Sequence, residues 1–204
     1  MDDGDRVRPP LLMPARAGDG RSPEGTARLH PSSPPDSADG ALARFLALAW
    51  GTATATFALL LLGAAVVATG AGLSCPGWPL CGGHAVPALV GIVVVEWSHR
   101  VGALTVTLLS LITAAAAWPL RRQGPWAKAS LAALVLLAAQ VALGAFVVED
   151  SLTPWLVVAH EGLGIVLLCV WIAVGALGVC RRSERRASAV MACSGMAGTR
   201  LPPE

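Results

Sequence analysis

The sequence predicts an all-α, polytopic membrane protein: a single four-helix transmembrane bundle with both termini in the cytoplasm. Three observations carry this expectation. Apolar residues make up 54% of the 204 positions and charged residues only 14%, a balance that belongs to membrane chains. Four apolar runs each reach the roughly 20 residues a helix needs to cross the hydrocarbon core, and short turns join them, as in an up-down-up-down bundle. All Lys and Arg residues except Arg100 fall in or beside the N-terminal tail, the turn after the second run and the C-terminal segment. The positive-inside rule therefore puts those three in the cytoplasm and the other two loops outside.

Residues 1–40 are rich in Pro, Gly, Ser, Asp and Arg and have no apolar period. Such a segment cannot bury enough surface to offset its ordering entropy, so a disordered cytoplasmic tail is expected. It has neither the apolar core of a secretory signal nor the acid-poor composition of a transit peptide. The first span is expected over 41–69, with Leu59 to Val67 as its apolar heart. Residues 70–87 carry several glycines and prolines, which stop a helix, together with Cys75 and Cys81. The second span is expected over 88–118, the third over 126–148 after the basic turn 119–125, and the fourth over 155–180 after the acidic turn 149–154. A basic tail, 181–204, follows. Trp78 and Trp155 on the outer side, with Trp118 and Trp126 on the inner, fit interfacial aromatic belts.

A net charge of +2 and the absence of a nucleic-acid motif leave no case for a nucleic-acid partner. Five cysteines are too few for a disulfide scaffold. Cys75 and Cys81 bracket a stiff Pro-Gly-Trp-Pro loop on the oxidising face, where a disulfide, structural or redox-active, is expected. Cys169, Cys180 and Cys193 lie within or on the cytoplasmic side of the fourth span and are expected to be free thiols.

The chemistry concentrates in Glu96-Trp97-Ser98-His99-Arg100. Ionisable groups inside a span are costly, face the bundle interior and mark a ligand or ion site. His99 on the second span and His160 on the fourth lie at similar depth in the outer half of the bilayer. Two imidazoles on separate helices of one bundle can hold a haem iron between them. Gly102, Ala103 and Gly164, one turn from the histidines, leave room for a porphyrin plane or simply let helices pack closely. Glu96, one turn before His99, is placed to act as general base, steer a water or stabilise a developing cation; alternatively it pairs with Arg100. Arg100 suits a haem propionate. Glu161 points about 100° away from His160 around the helix and is expected near the outer surface without a role.

Thr69 to Cys81, Glu96-Trp97-Ser98-His99-Arg100, Gln140 to Ala145 and Pro154 to His160 resemble, in order and spacing, the motifs of the haem A synthase family. The resemblance covers roughly residues 57–174. It implies a plasma-membrane oxidoreductase that converts a methyl group of haem O to a formyl group for terminal oxidases. It also implies His99 and His160 as haem ligands, Glu96 as the catalytic carboxylate, and Cys75 with Cys81 as a redox-linked pair. The usual member has two tandem four-helix bundles, one for the substrate haem and one for a haem b cofactor. This chain resembles the substrate half alone, which implies self-association or a partner such as a haem O synthase or another oxidase-assembly protein. The alternative is a non-enzymatic bis-histidine haem-binding or electron-transfer subunit.

Overall fold

The computed structural model describes residues 35–197, with side chains described for 39–191. Of the tail expected over 1–40, residues 1–34 lie outside the described residues, as do 198–204. Four helices form the described chain: α1 (Pro35–Thr69), α2 (Val93–Ala117), α3 (Trp126–Glu149) and α4 (Pro154–Ala197). Among the described residues these four are long and apolar enough to cross a membrane, which makes this a multi-pass membrane protein. Short 3-10 turns, Ala71–Leu73 and Trp118–Leu120, follow α1 and α2.

Three boundaries differ from the sequence expectation. α1 begins at Pro35, inside the segment expected to be tail; proline is at home in a first turn, where its missing N–H would have had no partner. α2 begins at Val93 rather than residue 88. Pro87 and the left-handed Gly91 (φ 58°) hold 88–92 out of the helix although these residues are apolar. α4 does not stop at Cys180 but continues to Ala197, because Arg, Glu, Ala and Ser carry a helix well beyond the apolar run.

α1 packs against α2 and α4, and α3 packs against α4 and α2. The turn after α3 is a Schellman closure. The Leu152 N–H reaches the Val147 carbonyl at 2.9 Å and the Ser151 N–H the Val148 carbonyl at 3.4 Å. Ser151 and Leu152 both take positive φ, 53° and 64°, where glycine is usual. Leu152 lodges against Gly72, where an added Cβ would lie 2.9 Å from its Cδ2. That contact joins the α3–α4 turn to the loop after α1 and sets both at one end of the bundle.

The apolar core fills the opposite half, built from Leu42, Phe45, Leu46, Ala49, Leu120, Trp126, Leu167 and Trp171. Lipid is as apolar as leucine, so close packing and interhelical hydrogen bonds, not expulsion of water, hold such helices together. Trp126, expected in an interfacial belt, is instead 3% exposed, with its ring 5.8 Å from that of Phe45. Trp118 does lie exposed, under the Arg121 guanidinium. Gly175 receives Trp50, and Gly178 receives Leu46, so α1 and α4 approach closely. Thr52 and Thr113, both buried, join α1 to α2 through their hydroxyls at 2.9 Å.

Candidate functional site

The half of the bundle near the disulfide loop is hollow. A cavity of about 920 Å³ opens there, lined among others by Glu96, His99, Arg100, Gln140, His160 and Glu161. This is at the upper end of the usual range for a small-molecule or cofactor site.

Its roof is the loop after α1. Cys75 and Cys81 form a disulfide, and both are buried. Antiparallel bonds between Cys81 and His84 and a 2.8 Å bond from the Gly82 N–H to the Pro76 carbonyl tighten the loop. Gly77 sits at φ 79°, a conformation that a side chain would strain. Arg100 then fastens the loop to α2. Its Nη1 donates to the carbonyls of Gly77 (2.7 Å) and Leu80 (3.0 Å), its Nη2 to that of Cys75 (2.7 Å), and its Nε to Glu96 Oε1 (2.9 Å). Four of the five guanidinium N–H groups are thus engaged within the protein. The propionate expected for Arg100 has at most one N–H left to meet it. The structure gives this residue the work of a loop clamp and favours the pairing alternative for Glu96. A second tie runs from Trp97 Nε1 to the Ala85 carbonyl at 2.9 Å.

His99 and His160 each stand six residues inside the first residue of their helix, counting from Val93 and Pro154. At 1.5 Å per residue both lie about 9 Å along the axis. The later start of α2 makes the two offsets equal, where the sequence-based spans had them differ. Each ring rests against a glycine of a neighbouring helix. A Cβ on Gly63 of α1 would stand 3.2 Å from His99 Cε1, and one on Gly144 of α3 would stand 3.0 Å from His160 Cε1. Both Nδ1 atoms are buried and have no hydrogen-bond partner. Gln140 on α3 donates to the His160 carbonyl at 2.9 Å and lies 3.5 Å from its Nε2, which steadies that ring.

Of the two uses expected for Gly102 and Gly164, the structure shows close packing. Gly102 receives Leu59 and Gly164 receives Leu60 and Gln140, so their missing side chains are filled by neighbours rather than kept open. The glycines that seat the imidazoles, Gly63 and Gly144, lie on helices without a histidine ligand candidate, and only tertiary structure pairs them. Glu161 also departs from expectation. It lines the cavity, and its Oε1 would be 3.1 Å from a Cβ on Gly63. Gln140 had a sequence signal of its own, as a lone amide within an apolar span. Cys169 and Cys180 are free and exposed; the side chain of Cys193 lies outside the described residues.

Two imidazoles with unpartnered Nδ1 atoms, two carboxyl groups and a clamped guanidinium surround one cavity among the four membrane helices. The chain belongs to the cytochrome oxidase assembly protein family, whose model matches residues 88–198, from the end of the disulfide loop through α4. It is 38% identical over 114 residues to a heme A synthase of Symbiobacterium thermophilum, covering 56% of this chain and 37% of that protein. It is 34% identical over 119 residues to the heme A synthase of Bacillus licheniformis, covering 56% and 39%. A protoheme IX farnesyltransferase 1 of Natronomonas pharaonis is 37% identical over 108 residues, covering 52% and 23%. The chain therefore spans under two fifths of the length of these curated relatives. No solved structure matches it.

Proposed function

We propose that this chain holds a haem between His99 and His160 and serves haem A biosynthesis, as a haem A synthase-type oxidoreductase that converts a methyl group of haem O to a formyl group. The single observation that carries the reading is the pair of imidazoles, one from α2 and one from α4, that line one cavity with their Nδ1 atoms unpartnered. The residues fit the group. Each ring is seated on a glycine, neither Nδ1 is tied to the protein, and the cavity is long and mainly apolar. Bound there, the haem brings iron and the methyl group to be oxidised.

The chain's own residues bind, orient and exclude water. His99 and His160 would hold the iron of the haem. Gln140 fixes the orientation of His160. Arg100 holds Glu96 Oε1 and leaves Oε2 free toward the cavity, where it can accept a proton. The disulfide loop closes the end of the cavity against solvent. By the distribution of Lys and Arg, this end faces outward from the plasma membrane, so the haem lies in the outer half of the bilayer.

Co-expression with a haem O source, followed by extraction and identification of the bound haem, tests this reading. A more oxidised haem, formyl-bearing or its precursor, is the expected product. Abundant haem-loaded protein yielding haem O alone refutes the activity. A second reading, a haem-binding or electron-transfer subunit without oxidase chemistry, is favoured by one observation: the Glu96 carboxylate is already committed to Arg100. Glu96→Gln separates the two, since the enzyme loses oxidation while keeping haem, and the subunit keeps every measurable function.

A further inference from the structure

One ionisable group in the bundle is without employment. Glu161 sits within a membrane span, follows a proposed iron ligand, and lines the cavity. Among the described residues it makes no ion pair and no hydrogen bond. Ionisable side chains are rare in such surroundings because hydrocarbon solvates them poorly, and those present have a specific partner.

The partner is identified by what faces it. A methyl group placed on Gly63 would lie 3.1 Å from Glu161 Oε1, 3.2 Å from His99 Cε1 and 3.7 Å from His99 Nδ1. Glu161 on α4 and the Cε1–Nδ1 edge of His99 on α2 therefore enter the same notch in α1 from two sides. Both face the place a Gly63 side chain would take, and no hydrogen bond joins them in this structure. The His99 Nδ1 atom in that notch is buried and lacks a partner. A metal-bound imidazole nearly always donates its remote N–H to a carboxylate, a carbonyl or water, which fixes the tautomer and raises the electron donation of the ring.

We propose that Glu161 is the positioning residue for His99: its carboxyl group accepts the Nδ1–H of His99 across the Gly63 notch, so that Nε2 is the atom presented to iron. The proposal rests on haem ligation by His99 as set out above. It makes the two proposed ligands unlike. His99 is braced by a carboxyl group from the opposite helix, whereas His160 has the neutral amide of Gln140 3.5 Å from its Nε2. It also explains why Gly63 carries no side chain, since any would separate the pair.

The test uses the full chain, purified with its haem. Glu161→Gln keeps a weaker acceptor and Glu161→Leu removes it. A ligand that donates less favours ferric iron less, so the midpoint potential is expected to rise from wild type to Gln to Leu, with the ferric low-spin EPR g-values shifting in the same order. Haem-loaded variants with unchanged potential and g-values overturn the proposal. Should the variants fail to accumulate, the redox-difference infrared spectrum of the wild-type protein decides. Two separate histidine ring bands, one displaced by hydrogen bonding to a carboxyl group, are expected, and coincident bands overturn the proposal. Wild-type protein without a Soret band would overturn haem ligation itself, an outcome distinct from a haem-loaded variant that fails to shift.

Discussion

Removing the Arg100 guanidinium should release the roof of the cavity. In Arg100→Leu four hydrogen bonds are lost, at 2.7, 2.7, 2.9 and 3.0 Å. The contacts to Gly77 and Leu80 are exposed, and water replaces the guanidinium there at little cost. Those to Glu96 and Cys75 are part-buried. A hydrogen bond to a charged group contributes about 1.5–3 kcal/mol, and breaking a buried ion pair costs about 3–5 kcal/mol because the remaining charge has no partner. The expected loss is therefore about 3–5 kcal/mol, most of it from stranding Glu96, which is 5% exposed. Arg100→Lys keeps the charge but cannot span the fork of carbonyls, and should lose roughly half as much. Equilibrium unfolding in mixed micelles measures the energy, and the rate of alkylation of Cys75 and Cys81 under reductant measures the loosening of the loop. An Arg100→Leu protein within about 1 kcal/mol of wild type, with its cysteines equally protected, would refute the clamp. A propionate-binding role predicts a different pattern: Arg100→Lys would weaken haem binding and leave the loop closed.

Three further outcomes are expected. His99→Ala and His160→Ala should each abolish the six-coordinate low-spin haem spectrum while the bundle still accumulates, which optical spectra of purified variants will read; an unchanged spectrum in either removes that residue from the ligand pair. Gly144→Val should push the His160 ring off its seat, at an overpacking cost of about 1–3 kcal/mol, and a haem titration should show the matching loss of affinity. Thr52→Val and Thr113→Val should each lower stability by about 1 kcal/mol through the lost interhelical hydrogen bond, and the double variant should lose less than the two singles together.

The four helices were legible because apolar length is a strong signal and the charge pattern punctuates it. What escaped shares one cause: hydropathy does not distinguish a helix from an apolar segment of another shape. Residues 88–92 are apolar yet non-helical because of Gly91, and residues 181–197 are polar yet helical. Glu96, His99 and His160 were found because ionisable groups stand out in a span, and all three line the cavity. Glu161 stands out equally, but by sequence alone a turn of about 100° from His160 points to the outside. In a four-helix bundle each helix has two neighbours, and such a turn leads from one to the other. His160 rests on α3 through Gly144, and Glu161 reaches α1 beside Gly63. Trp126 shows the same limit, since a tryptophan at a span end reads as an interface anchor until Phe45 is seen against it.

The peg of Leu152 on Gly72 bears on how the protein is made. The bundle is two helical hairpins, α1 with α2 and α3 with α4, and each contributes one of the paired imidazoles. Neither hairpin alone can present both, so the ligand pocket does not exist until the second hairpin has emerged and docked. The Leu152 contact and the tilted contact of Phe45 with Trp126 set the register of that docking from opposite ends. A ligand requiring both imidazoles binds only the docked state and shifts the equilibrium toward it by mass action. Loading thus marks the completion of assembly, and a chain starved of its ligand should be the one that quality-control proteases find open.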